Sequence, residues 1–277
     1  MWTERVFRVL IWLGQCVPSS LRVALMRMPA AAWMRRLSQI HLVGSVVVPL
    51  CGLMTGYRML LDVRAGHRRY ALGTYEPEVA ALIQSMLKGG ETVMDVGANI
   101  GYFTLLMARL VGPGGRVIAF EPIPTVYSVL CENLRLNDLH WAHPERKAVT
   151  GQNGEIQMQT EAGNPLSFTA RVAEGGDLFV TAVSIDRYVE VAGLTRLDLV
   201  KIDVEGAEDV VIRGMAKSFL RFRPVVLVEI HANNGHQSEA LELLKVAGYE
   251  LMCVDSTGLT ACDTRACGGR VMAQWRS

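Results

Sequence analysis

Two hydrophobic rhythms alternate along this 277-residue chain. Runs that stay apolar at successive positions predict buried strands at 92–94, 116–120, 146–149, 197–202 and 225–230. Between them Phe103, Leu106, Met107 and Leu110, and then Val126, Val129, Leu130 and Leu134, recur at helical spacing. Further helices are predicted from Pro77 to Leu87, closed by Gly89 and Gly90, over 208–215, and from Ser238 to Ala247. Strand and helix in alternation predict an α/β fold with a doubly wound, mostly parallel sheet. The last strands, 249–254 and 270–274, have no helix between them and predict an antiparallel edge. Ahead of the first core strand, 57–63 and 67–71 read as a lead-in hairpin around Arg64-Ala65-Gly66. Residues 151–195, broken by Gly151, Gly154, Gly163, Gly175 and Gly176, read as an elaboration beside the cleft, with strands at 156–160 and 179–184 and with Asn164 and Ser167 in its loop.

The chemistry gathers where strands end. Asp95-Val96-Gly97-Ala98-Asn99-Ile100-Gly101 leads from the first core strand into a helix, and Gly97 and Gly101 let backbone approach a ligand closely. Helix N–H groups are expected to point at that ligand. A dinucleotide turn needs glycine at three points, yet Asn99 and Tyr102 hold two of them, and no Lys-Ser/Thr pair follows as in a phosphate-binding loop. A nucleoside without phosphates fits better. Glu121, at the tip of the next strand, is placed to accept from both hydroxyls of a ribose. S-adenosylmethionine meets these demands, since its sulfonium and ammonium offset the carboxylates Asp95, Asp203 and Glu205.

Asp203 and Glu205 end a buried strand, and two carboxylates there call for a cation between them, which Lys201 or the ligand supplies. His231 ends the strand after. Among the groups at these tips, His231 or Asp203 is the candidate general base, with Lys201 and Glu205 arranging the acceptor. No metal is assigned; Mg²⁺ between Asp203 and Glu229 is the alternative.

Composition narrows the partners. A net charge of +1 and a pI near 7.7 give no basic field for nucleic acid. Six scattered cysteines without a C-x-x-C pair predict thiols in a reducing, cytoplasmic setting. Residues 1–56 differ from the rest: arginines 5, 8, 22, 27, 35 and 36 stand against Glu4 alone, among Trp2, Trp12 and Trp33. They read as a basic, apolar helical extension, either packed on the domain at 57–277 or in peripheral contact with a membrane surface. The apolar run 40–54 is too short to span a bilayer.

Several ordered motifs then carry a resemblance. Gly73-x-Tyr75-Glu76-Pro77, the 95–101 turn with Tyr102-Phe103-Thr104, Ala119-Phe120-Glu121-Pro122, the Asn133 and Asn137 pair, Lys201-Ile202-Asp203-Val204-Glu205-Gly206-Ala207-Glu208 and Val228-Glu229-Ile230-His231 resemble the FkbM family of S-adenosylmethionine-dependent methyltransferases. The resemblance spans roughly 57–273. It implies the class I methyltransferase sheet, Rossmann-like and seven-stranded, and methyl transfer to a hydroxyl oxygen of a small-molecule natural product, sugar or glycan acceptor. It further implies that Asp95, Gly97, Asn99, Gly101 and Glu121 contact the cofactor, with Tyr75 and Glu76 closing over it. The competing readings are an NAD-dependent oxidoreductase and a cofactor-binding accessory protein without catalysis.

Overall fold

Alternate residues of the central strands face opposite helix layers, and this alternation builds the core. The computed structural model describes residues 45–62, 67–160, 170–173, 175–231, 239–262 and 269–276. Its strands are β1 (Ser45–Pro49), β2 (Arg58–Asp62), β3 (Thr92–Val96), β4 (Arg116–Phe120), β5 (Ala142–Glu145), β6 (Ala148–Val149), β7 (Gly154–Thr160), β8 (Ala170–Val172), β9 (Leu178–Val183), β10 (Leu199–Ile202), β11 (Val225–Ile230), β12 (Tyr249–Asp255), β13 (Gly258–Ala261) and β14 (Gly269–Trp275). The helices are α1 (Arg68–Ala71), α2 (Pro77–Met86), α3 (Tyr102–Val111), α4 (Pro124–Arg135), α5 (Ile185–Val191), α6 (Glu208–Arg213), α7 (Ala216–Phe222) and α8 (Glu239–Val246).

The main sheet runs β13-β12-β14-β11-β10-β3-β4-β5. From β5 to β11 it is parallel, while β14 pairs antiparallel with both β11 and β12. The antiparallel strand therefore lies inside the sheet, and the hairpin strand β13 adds an eighth member at the edge. Val93, Val117, Ala119, Leu199 and Leu227 face a cluster shared with α2, α3 and α4. Met94, Val96, Ile118, Phe120, Val200, Ile202, Val226 and Val228 face the opposite cluster, made with α5 through α8. Asp95 and Lys201 share the parity of Val93 and Leu199, and they are register partners across β3 and β10. Both therefore point to the α3 side, where the site forms.

Three local expectations change. The segment 67–71 is not the second arm of a hairpin: Arg68–Ala71 is a helical turn, and β2 pairs instead with β1. Val48, Leu50, Cys51 and Met54, read from sequence as part of the extension, are buried in the main core. The third strand of the parallel sheet is 142–145, not 146–149; Ala148–Val149 crosses to a second sheet, ordered β6-β9-β7-β8. At β1, β2 and β5, long-range pairing overrides local sequence character.

The Asn133 and Asn137 pair ties this lead-in to the domain. Asn133, fully buried on α4, accepts from the Leu60 amide at 2.6 Å and donates to the Ile100 carbonyl at 2.7 Å. Asn137 takes both backbone groups of Arg58, at 2.9 and 2.7 Å. Two side-chain amides thus satisfy an edge that no strand covers. Residues 1–44, with the basic tryptophan-bearing stretch, and the loop holding Asn164 and Ser167 lie outside the described residues.

Candidate functional site

The glycine turn closes on itself. Gly97 and Ala98 amides donate to the Phe120 carbonyl at 3.1 and 2.9 Å, and the Asn99 amide donates to Glu121 Oε2 at 3.0 Å. The Ile100 amide donates to Asn99 Oδ1 at 2.7 Å, and the Gly101 amide to the Ala98 carbonyl at 2.9 Å. All five amides of the turn, Gly97 through Gly101, are engaged within the protein. Glycine at 97 has a second reason: at φ +81° a Cβ there would lie 1.9 Å from the Asp203 carbonyl oxygen. The turn and the tip of β10 touch without room for a methyl.

Glu121 is 4% exposed and holds the turn through both oxygens, the second accepting from the Ile123 amide at 2.9 Å. Burial pushes its pKa up to about 7, against the pull of those two amides. Each oxygen keeps a further lone pair for a ribose hydroxyl. Beside it Phe120, Ile123, Val149 and Met158 line an apolar slot, to which the second sheet contributes Met158 and Val172.

Across the cleft lies a chain of charges. Asp95, 1% exposed, accepts from Thr104 Oγ1 at 2.6 Å through Oδ2, while its buried Oδ1 has no hydrogen-bond partner among the described residues. Burial raises its pKa, opposed by Lys201 and Thr104. Lys201 Nζ sits 4.0 Å from Asp95 Oδ1 and 3.1 Å from Asp203 Oδ2, over the Phe103 ring at 5.0 Å. Burial works against the ammonium, yet Asp203, Asp95 and Glu76 together hold its pKa above the usual lysine value. His231 Nδ1 lies 2.7 Å from Glu208 Oε1, and its Nε2 faces Asp203 and Glu205 at 3.9 and 3.8 Å. The Glu208 hydrogen bond, outweighing desolvation, raises the imidazole to about 9. At neutral pH the ring is mostly imidazolium.

The remaining wall is aromatic. Tyr75 packs 4.4 Å from Tyr70, 5.6 Å from Tyr102 and 5.9 Å from Phe103, centroid to centroid. Glu76, Asn99 and Glu205 all adopt positive φ (39°, 51° and 45°), and all three line this cleft of about 250 Å³. Left-handed non-glycine residues gathered at one cleft are a mark of function.

The residues singled out from sequence, Tyr75, Glu76, Asp95, Gly97, Asn99, Glu121, Lys201, Asp203, Glu205 and His231, therefore line one cleft. Gly101 does not: it starts α3 at φ +93°, packed on Leu130. Sequence reasoning assigned no role to Glu208, although it closes the motif that starts at Lys201, and none to Tyr70 or Lys147, which also face the cleft.

Residues 95–251 match the family model described as the methyltransferase FkbM domain. The chain belongs to this family. Among its relatives, the hexuronic acid methyltransferase AglP of Haloferax volcanii is 28% identical over 193 residues, covering 68% of this chain and 77% of that protein. The methyltransferase sdnD of Sordaria araneosa is 29% identical over 191 residues, covering 57% and 73%. The 31-O-demethyl-FK506 methyltransferase FkbM of Streptomyces tacrolimicus is 27% identical over 197 residues, covering 60% and 75%.

The chain is thus an FkbM-type methyltransferase, and its cofactor is S-adenosylmethionine. The cleft fits that molecule. Buried Asp95 Oδ1 is an acceptor without a donor, the aromatic wall suits a cation, and Glu121 retains acceptor capacity beside an apolar slot. No helix among the described residues is long and apolar enough to cross a membrane.

Proposed function

We propose that this FkbM-type enzyme methylates a hydroxyl oxygen of a small natural product, sugar or glycan, with Asp95, Gly97, Asn99 and Glu121 forming the cofactor half of the site, while Gly101 acts only by starting the helix behind it. Tyr75 and Glu76 close over it, and Asp203 lies where the halves meet. The observation that carries the catalytic half is the Glu208–His231 pair. With Nδ1–H donating to Glu208, neutral His231 presents the lone pair of Nε2 to the cleft. The bound cofactor supplies an electrophilic methyl on a sulfonium. His231 Nε2 would take the acceptor's hydroxyl proton as the methyl passes from sulfur to oxygen, the sulfur–carbon bond breaking as the oxygen–carbon bond forms, and Glu208 would steady the resulting imidazolium. Asp203 and Glu205, both within 4 Å of Nε2, accept from neighbouring hydroxyls of the acceptor, and Lys201 fixes Asp203. Alignment of this kind is worth roughly 7–11 kcal/mol. The test is methyl transfer from labelled S-adenosylmethionine to a cell extract and a panel of glycosides. Wild-type turnover in both His231→Ala and Asp203→Asn, with cofactor bound, would sink the assignment.

Asp203, Glu229 and His231 offer ligand atoms within 4.8 Å of one another, a spacing that a divalent ion accepts. Lys201 at 3.1 Å from Asp203 and Arg270 at 3.7 Å from Glu229 already supply positive charge there. We therefore read a metal-free site, and loss of activity in a chelator would overturn that reading.

The arginines and tryptophans of 1–44 support peripheral contact with anionic lipid; a full-length protein that never sediments with such vesicles at low salt would refute it.

A further inference from the structure

Helix α2 begins in a conformation that its own residues do not favour. Glu76 precedes it in the left-handed region at φ +39°, contributes no side-chain cap, and is 4% exposed. A buried carboxylate beside Asp203 and Glu229 needs a counter-charge, and no residue of α2 provides one. Lys201 supplies part of it, and the direct contact comes from the other end of the chain. Arg270, on β14, reaches Glu76 Oε1 at 3.1 Å with one terminal nitrogen and Glu78 Oε1 at 2.8 Å with the other. Its Nε faces Glu229 Oε2 at 3.7 Å, and Glu229 is its cross-strand partner on β11.

Arg270 does not line the cofactor cleft, whereas Tyr75, Glu76 and Glu229 do. Any influence on the cleft must pass through them. Fixing Glu76 fixes Tyr75, the next residue, whose ring closes the aromatic wall against Tyr70, Tyr102 and Phe103. The arrangement calls for arginine, since a planar fork serves two carboxylates at once and a lysine ammonium is a single point charge.

We propose that Arg270 is a positioning residue, a latch that holds the Tyr75–Glu76 segment against the sheet and thereby shapes the S-adenosylmethionine site. The proposal rests on the cofactor reading of the cleft. In calorimetric titrations of the full chain with S-adenosylmethionine and S-adenosylhomocysteine, Arg270→Gln weakens binding about tenfold and Arg270→Lys by an intermediate factor. Because the latch acts through Glu76, Arg270→Gln loses most of its effect in a Glu76→Gln background, a coupling that a general loss of stability would not produce. Should Arg270→Gln not fold, Arg270→Lys in the two backgrounds reads the same coupling. Unchanged affinity in the Arg270 variants, or equal losses in both backgrounds, overturns the latch while leaving the cofactor reading intact. A wild-type protein that binds neither ligand overturns the cofactor reading and the latch with it.

Discussion

The two halves of the cleft are built on opposite principles. In the glycine turn every amide from Gly97 to Gly101 has a partner inside the protein, and Asp95 and Glu121 are 1% and 4% exposed. At the tips of β10 and β11, Asp203, Glu205 and His231 are only part-buried, their side chains 21%, 48% and 29% exposed, and the contacts from Nε2 are near 4 Å. The first half is buried and tied together by its own hydrogen bonds, suited to holding one invariant ligand by shape. The second keeps titratable groups within reach of one another without locking them, as acid–base work and a variable acceptor require. The proposed assignment thus separates binding from chemistry within a single cleft.

Mutation can break that separation or sharpen it. The largest effect is expected from His231→Ala, which lowers kcat by about 10²- to 10⁴-fold while cofactor affinity, read by calorimetry, changes little. Equal losses in kcat and affinity would erase the distinction between the halves. Gly97→Ala forces a Cβ toward the Asp203 carbonyl, at 1.9 Å in the present geometry, and is expected to lower stability by roughly 3 kcal/mol in chemical denaturation and to abolish cofactor binding. Glu121→Gln weakens S-adenosylmethionine binding about tenfold, since a hydrogen bond to a charged group contributes roughly 1.5–3 kcal/mol. With Glu121 near 7, the ionised form that accepts best accumulates as pH rises, so wild-type affinity tightens through pH 7 and the glutamine variant loses that dependence.

The smaller effects lie on the other side. Because the His231 pKa is raised to about 9, its base form accumulates only as pH climbs, and kcat/KM should rise with pH and level off near 9. Glu208→Gln replaces the carboxylate that holds the imidazolium with a neutral amide, so the limb moves down toward the ordinary histidine value of 6.5, with cofactor affinity unchanged. A limb that stays in place would take Glu208 out of the acid–base machinery. Least of all, a chelator should leave turnover as it is.

Much of the binding half was legible because its cause is local. Strand 92–96, the glycines, Asn99 where a dinucleotide site wants glycine, and Glu121 twenty residues after Gly101 stand within one βαβ unit, whose geometry follows from hydrophobic period and turn chemistry. The catalytic half was legible as residues but not as partnerships. Asp203, Glu205 and His231 were readable as strand tips, yet whether His231 meets Glu208, twenty-three residues earlier, depends on how α6 packs against β11. Arg270 left no local signal, for it is one cation on an edge-like strand, and the strand lies beside β11 through antiparallel insertion.

What the sequence determined by itself is the alternation of apolar runs, the conformations of the turns, and therefore an α/β sheet with a nucleoside-sized turn and carboxylates at its strand tips. Tertiary structure alone decided that the turn spends its amides on the Phe120 carbonyl and Glu121, that Lys201 stands between Asp95 and Asp203, and that Arg270 reaches Glu76. The reason is one of range. Period and turn preference act over a few residues, whereas the charge on a buried side chain is settled by whatever the sheet register sets beside it, and that register is fixed only when the whole core closes.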